Sequence, residues 1–404
     1  MASYESEDRQ GAGRRKLARY AVPVAVVGVA AATIGLVPAL ADSGDPDLPK
    51  ITAQELIEKI AKSDTERLSG TIKIHTDLGL PSLGGVASGL TGGNGGSGDK
   101  GSASADPREK LTELATGTHT LRVAADGENR QKLSILDDAS EYSVIHNGAD
   151  VWAYDSGSDQ AYHAKTEQTA GDDRAKKQSP DVPATPKQLT DEILKASADT
   201  TSFTVDGTAQ VAGRDAYRLQ IKPKQSGSTV GAITVSVDAK TGTPLKFTLT
   251  PAGGGAAVVD AGFTKVDFAK PSASTFDFKP SQGTKVTEAD DLPRRDHPGR
   301  TGRAPSAADL DGLNVIGEGW TTVAELKLPG DAAGAAGLAS GNAPSGMPAE
   351  AQGFLNSLGD KVSGKFGSGT VYSTRLVNVL ITEDGKVYAG AVTKSALVKA
   401  ADAG

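Results

Sequence analysis

Hydrophobic and polar positions alternate with a period of two along most of residues 68–278, and a helical period shows in two short places. The first is Thr52-Ala53-Gln54-Glu55, a capping-box sequence in which hydroxyl and carboxylate satisfy each other's backbone donors. Leu56, Ile57, Ile60 and Ala61 follow at helical spacing and predict a short amphipathic helix ending near Ser63. Leu68–Thr76 reads as a strand. Further strands are predicted at Thr118–Ala125, Gln131–Leu136, Tyr142–His146, Asp150–Asp155 and Gln160–His163, with Asp126-Gly127 and Asn147-Gly148 as hairpin turns. The second helical stretch opens at Thr185-Pro186-Lys187-Gln188 and runs to about Ser197, burying Leu189, Ile193 and Leu194. Strands resume at Ser202–Val211, Arg214–Pro223, Gly231–Asp238, Thr243–Pro251, Ala257–Ala269 and Thr275–Phe278. Short strands at this spacing predict an α+β, mainly β fold: one large antiparallel sheet, curved or closed, over two short helices.

The stretches outside this pattern divide the chain. Arg14, Arg15, Lys16 and Arg19 precede an apolar run from about Ala21 to Ala41 that ends in Ala39-Leu40-Ala41, a small-x-small cleavage pattern. Residues 1–41 therefore read as a signal peptide or an N-terminal membrane anchor, and Arg14-Arg15 raises a twin-arginine route. Positive charge before the run keeps residues 1–19 inside and places everything after Asp42 outside the cytoplasmic membrane, secreted or anchored to its outer face. Residues 42–50 are a spacer, 51–286 the strand-rich domain with a Gly-rich insertion at 78–104, and 287–311 a Pro/Arg/Asp-rich linker. Residues 312–404 form a second, small α+β module. It has predicted strands at Gly319–Leu328, Gly369–Thr374, Arg375–Thr382 and Lys386–Thr393, a weak helix at Pro348–Leu358 and a terminal helix at Lys394–Ala401.

Composition narrows the chemistry. The 404 residues carry 43 basic and 50 acidic side chains, net −7, which disfavours nucleic acid as a partner. With no cysteine, thiol catalysis, Cys-based metal sites, disulfides and N-terminal lipidation are all excluded. The five histidines (His75, His119, His146, His163, His297) fall on separate strands and a linker without metal-ligand spacing, so each reads as a solvated or hydrogen-bonded structural residue. Gly93, Gly95 and Gly98 are in dinucleotide-fingerprint register, but no strand precedes them and no helix follows. No Ser lies in a nucleophile elbow, and Asp137-Asp138, Asp172-Asp173 and Asp290-Asp291 lie in loops. The chain is read as a non-enzyme without cofactor or metal.

What remains is apolar surface on a curved sheet. Leu121 and Val123 alternate on one strand. Trp152 and Tyr154 share a face of theirs, as do Tyr217, Leu219 and Ile221, then Ile233 and Val235, then Phe247 and Leu249. These eleven residues are expected to line an apolar cavity only partly filled by the two helices.

Ordered motifs carry a family resemblance. Leu68-Ser69-Gly70-Thr71-Ile72 leads to Gly117-Thr118-His119-Thr120-Leu121-Arg122-Val123 and to the run Gly148–Asp155. Gly213-Arg214-Asp215-Ala216-Tyr217-Arg218-Leu219, Val237-Asp238 with Thr241-Gly242, and Phe276-x-Phe278-x-Pro280 follow. Over roughly Ile51–Val286 this resembles the superfamily of the lipoprotein carrier LolA and the sigma-E regulator RseB/MucB, in particular its exported actinobacterial members. The C-terminal stretch, with Gly317-x-Gly319-Trp320 and Thr374-Arg375-Leu376-Val377, resembles the extra module of those proteins. The resemblance implies a half-open barrel that holds a lipid, or the acyl chains of a lipoprotein, on its concave side. It also implies two alternatives: a regulator acting on an anti-sigma factor or other envelope membrane protein, and an accessory to an ABC-type exporter.

Overall fold

The computed structural model describes residues 45–79, 114, 116–165, 191, 194–288, 313–327 and 359–404. The signal or anchor reading, most of the Gly-rich insertion and of the second helix, the linker after residue 288 and the weak helix at 348–358 lie outside these residues. Among the described residues no helix is long and apolar enough to cross a membrane.

Helix α1 (Ala53–Ala61) starts as its sequence predicts. The Glu55 N–H donates to Thr52 Oγ1 at 3.2 Å, and the Thr52 N–H donates to Glu55 Oε2 at 2.8 Å. That backbone donor, followed by the Thr52 hydroxyl, holds the Glu55 carboxyl below its ordinary value. Leu56, on the opposite side of the helix, is fully buried.

Among the described residues, twelve strands then form one open sheet. β1 (Arg67–Thr76) is followed by the meander β2 (Gly117–Asp126), β3 (Arg130–Leu136), β4 (Glu141–Asn147), β5 (Asp150–Asp155) and β6 (Gln160–Lys165). A second meander comprises β7 (Thr201–Val211), β8 (Arg214–Pro223), β9 (Val230–Asp238), β10 (Pro244–Pro251) and β11 (Val259–Asp267). β1 lies between the meanders, pairing β2 on one side and β11 on the other, and β12 (Lys285–Glu288) closes the outer edge beside β6. The edges β12 and β7 do not pair, so the barrel is half open. Register shifts in β1, β7 and β10 supply the bends that a curved sheet needs.

Cross-strand register gives this sheet two faces. Leu121 pairs with Ile135 and Ile135 with Tyr142; Val123 pairs with Leu133, Leu133 with Val144 and Val144 with Ala153. On the other meander Leu219 pairs with Val235 and Val235 with Phe247, while Ile221 pairs with Ile233 and Ile233 with Leu249. Phe247 continues through Ala261 to Ile74, so all these rows belong to one apolar inner face. The outer face carries Arg122, Ser134, Ser143, Lys246 and Asp260, with a Ser134–Ser143 hydroxyl contact of 2.8 Å and a Lys246–Asp260 pair at 3.1 Å.

The segment after β11 crosses the outer face. Lys270 reaches Asp126 at 3.7 Å, Asn147 donates to Asp277 at 3.4 Å, and Phe278 lies against Trp152 and Tyr154 with ring centroids 5.2 and 5.1 Å away. Residues predicted as a strand at Thr275–Phe278 are instead part of this strap: a 3-10 turn at Ala273–Thr275 replaces the extended backbone and sinks Phe276 to 1% exposure. The strap ends in β12, which straddles the predicted boundary between domain and linker at residue 286 and pairs with β6 in parallel, the one parallel pair of this sheet among the described residues.

A second, six-stranded antiparallel sheet follows the order β13 (Leu313–Ile316), β14 (Val323–Lys327), β18 (Lys386–Gly390), β17 (Asn378–Thr382), β16 (Gly367–Ser373), β15 (Gly359–Gly364). Helix α2 (Lys394–Ala401) buries Leu397 and Ala401 against Val371, Leu380 and Tyr388. Three predicted strands here are shorter than their sequence suggests, the one at Lys386–Thr393 ending at Gly390 because Thr393 caps α2. Positive φ at Gly317 and Gly319 turns the chain through a 3-10 bend at Gly319–Thr321 before β14 begins. Thr374 Oγ1 accepts the Leu376 and Val377 N–H groups, so β17 starts only at Asn378.

This second sheet caps one end of the barrel. Thr201, Pro223, Val230, Pro251 and Thr76 all lie at the same end of their strands, and the C-terminal contacts gather there. Trp320 Nε1 donates to Thr201 Oγ1 at 2.8 Å, Gln225 Oε1 accepts the Trp320 N–H at 2.8 Å, and Arg375 donates to Asp77 Oδ2 at 2.5 Å. Ser228 forms a bridge with Val392.

Candidate functional site

The inner face has two halves. Over β7–β10, Tyr217, Leu219, Ile221, Ile233 and Leu249 are buried in one cluster with Leu56 of α1 and Trp320 of the C-terminal module. Val235 and Phe247 pack against the same cluster. The chain before α1 closes the remaining side, where Tyr217 Oη donates to the Pro49 carbonyl at 2.9 Å and Thr208 Oγ1 to the Pro46 carbonyl at 2.9 Å. Seven of the eleven residues expected in the cavity are therefore brought together beneath α1 and Trp320.

The other half runs over β1–β5 and β11 and centres on Ile72, Ile74, Leu121, Ile135, Tyr142 and Phe263, with Val123, Leu133 and Val144 partly exposed beside them; its cluster extends to Val211, Ala216 and Leu245 of the second meander. Leu121 and Val123, both expected in the cavity, lie here. No helix among the described residues packs on this half. Alternation alone missed Leu133, Ile135, Tyr142 and Val144, although register ties each of them to Leu121 or Val123. Gly70 belongs to this wall: a Cβ there would lie 2.5 Å from the Lys265 carbonyl oxygen and 2.7 Å from the Phe263 ring.

Trp152 and Tyr154 require a correction, because they lie on the outer face. Their strand mates Val151 and Ala153 face inward, in register with His146 and Val144. Both alternating sets of β5 are apolar, so the sequence carries no preference, and Phe278 from the strap supplies the outside cover that the aromatic pair needs. The outer face around Trp152 holds a cavity of about 620 Å³ lined by Asn147, Asp150, Phe276, Asp277 and Lys279.

Beside Trp152 sits His163, its side chain 10% exposed and stacked on the indole at 4.0 Å. Its Nε2 is 2.9 Å from Asp150 Oδ1 and its Nδ1 is 2.8 Å from Glu288 Oε2 on β12. The other described histidines are tied locally: His75 to the Thr118 hydroxyl, His119 to the Thr116 carbonyl and His146 to the Gly148 carbonyl. Among the described residues no group of three His, Asp or Glu side chains is arranged to hold a metal ion.

One buried charge pair closes the far end of the second meander. Arg214 donates from both Nε and Nη2 to Asp238, whose side chain is 1% exposed. Burial pushes the Asp238 carboxyl up, but the Arg214 hydrogen bond and two Thr241 donors outweigh it and hold the group below its ordinary value. Arg214 also lies over the Phe268 ring at 4.6 Å, which fixes the start of the strap.

No family model matches the chain, and no curated protein sequence does. Among solved structures it is similar to Pseudomonas aeruginosa MucB in complex with MucA, at 15% identity over 86% of this chain and 96% of that one, TM-score 0.38. An uncharacterized conserved protein from Thermus thermophilus matches at 12% identity over 58% of this chain and 98% of that one, TM-score 0.31. A LolA superfamily protein from Nitrosomonas europaea matches at 11% identity over 57% and 99%, TM-score 0.20. These are what the chain is similar to among solved structures: MucB and a LolA superfamily protein.

Proposed function

We propose that this chain is an extracytoplasmic binding protein that holds the acyl chains of a lipid or a lipidated protein on the β1–β5 half of its inner face. The observation that carries this reading is the division of that face. One half is filled by α1 and Trp320, while the other presents Val123, Leu133 and Val144 partly exposed beside a buried apolar wall of Ile72, Ile74, Leu121, Ile135, Tyr142 and Phe263. Such an apolar wall has the chemistry for a methylene chain, each buried CH₂ contributing roughly 0.8 kcal/mol. The N-terminal basic-apolar segment supports a site outside the cytoplasm.

The test is native mass spectrometry of the full chain purified from its own host, followed by organic extraction. Stoichiometric acyl mass, lost in Val144→Asp, supports the proposal. Leu219→Gln serves as the control, because Leu219 packs beneath α1: it should lower stability and leave the acyl mass in place. A clean protein mass with no uptake of added lipids or lipopeptides refutes it.

A second reading has its own observation, the docking of the C-terminal module on the filled half through Trp320. In that reading the module binds an envelope membrane protein such as an anti-sigma factor, and ligand on the inner face adjusts its presentation. Loss of lipid in Val144→Asp with partner binding intact favours a carrier. Loss of both favours a regulator.

A further inference from the structure

The geometry around His163 points to a protonation-dependent clamp that holds the edge strand β12, and with it the end of the strap, on the sheet. Both ring nitrogens lie within 2.9 Å of carboxylate oxygens, Asp150 Oδ1 on β5 and Glu288 Oε2 on β12. A carboxylate accepts and does not donate, so both contacts are hydrogen bonds only when both nitrogens carry a proton. A neutral imidazole has one N–H and turns a lone pair toward the second carboxylate. The clamp is complete in the imidazolium form alone.

Among the described residues little else holds β12. It is four residues long, every residue is at least partly exposed, and Val286 is 39% exposed, so apolar burial contributes little. Apart from its parallel pairing with β6, it is anchored at its start, where the Lys285 N–H donates to the Asp159 carbonyl at 3.0 Å and Thr284 Oγ1 to Asp159 Oδ1 at 2.8 Å. A short edge strand with so few contacts belongs to the low-stability end of a fold, where one charged hydrogen bond shifts the docked fraction.

The charged groups facing the ring and its surroundings can be named. Asp150 and Glu288 contact it, Lys165 lies opposite Asp150 in the β5–β6 register, and Asp277 and Lys279 of the strap line the cavity that Asp150 shares. One face of the ring is stacked on Trp152. Acid favours the imidazolium, so β12 docks at low pH and loosens at high pH. Loosening bares the β6 edge and frees the strap end that leads to the C-terminal module.

Hydrogen exchange of the full chain at pH 5.5 and 8.0, expressed as protection relative to the intrinsic rate at each pH, tests this directly. Protection of residues 285–288 is expected to fall at least tenfold at pH 8.0, with residues 150–155 unchanged. His163→Gln and, independently, the half-exposed Glu288→Gln should give low protection of this segment at both pH values. Equal protection of 285–288 at both pH values in the parent chain overturns the clamp, as does a folded Glu288→Gln variant that keeps the parent's pH response.

Discussion

Replacing Trp320 with Ala tests whether the C-terminal module is part of the barrel's core or an appended domain. Trp320 is 7% exposed and belongs to the same buried cluster as Leu219, Ile221 and Leu249. An aromatic side chain buries roughly 150–250 Å². At about 25 cal/mol/Å² that is about 4–6 kcal/mol, an upper value that a compact denatured state lowers to about 3–4 kcal/mol. The hydrogen bond to Thr201 adds about 1 kcal/mol, because the buried hydroxyl loses its indole donor. The chain has two tryptophans, so in this variant Trp152 on β5 is the sole indole and reports the barrel alone. In urea, with a slope of about 2–3 kcal/mol/M, the Trp152 fluorescence midpoint should fall by about 1.3–2.5 M. Trp320→Phe, which keeps the ring and drops the N–H, should shift it by less than half as much. A Trp152 midpoint that stays within about 0.2 M of the parent value would refute the capping argument, since Trp320 would then stabilise only its own module.

Three other perturbations probe the same frame. Gly70→Val drives a side chain into the Lys265 carbonyl and the Phe263 ring, and should lower stability by about 1–3 kcal/mol in the same urea assay. Asp238 is held below its ordinary value in the fold, so its contribution is present above the unfolded carboxylate pKa of about 4 and is lost as pH falls through the folded value. Asp238→Asn should cost about 1.5–3 kcal/mol at pH 7 and flatten the acid limb of stability below about pH 4, read by thermal unfolding across pH. Arg375→Ala and Asp77→Asn each remove one side of the contact between the module and the end of β1. A double-mutant cycle should give a coupling below about 1 kcal/mol, as suits a half-exposed pair, with faster amide exchange at residues 374–377 in both single variants.

Strand-by-strand alternation made most of the large sheet legible, and the capping box located α1 to within a residue. What it lacked was any reference between strands. Tyr217, Leu219 and Ile221 share a face on any reading of β8, but only the packing of Leu56 into their cluster shows that α1 lies on that face. β5 shows the cost: Val151 and Ala153 are as acceptable inside as Trp152 and Tyr154, and a strap arriving from more than a hundred residues away decides between them. β12 was illegible for a related reason. Lys285-Val286-Thr287-Glu288 carries no apolar alternation, and it docks through a histidine far upstream. Trp320 reads as a strand residue of its own module, because nothing local announces that its indole is accommodated among β7–β10.

The central position of β1 has a consequence for how the chain assembles. The meanders β2–β6 and β7–β11 are each built from consecutive hairpins, so their contacts are short-range and form early and independently. β1 joins them, and its partner β11 is synthesised almost two hundred residues later, as the Thr264 hydroxyl donating to the Thr71 carbonyl shows with a sequence separation of 193. Until that seam zips, β1 presents a bare edge bearing Ile72 and Ile74. Closing that long loop makes the seam form after the meanders it joins, and the interval before it exposes a nascent chain to strand exchange with its neighbours.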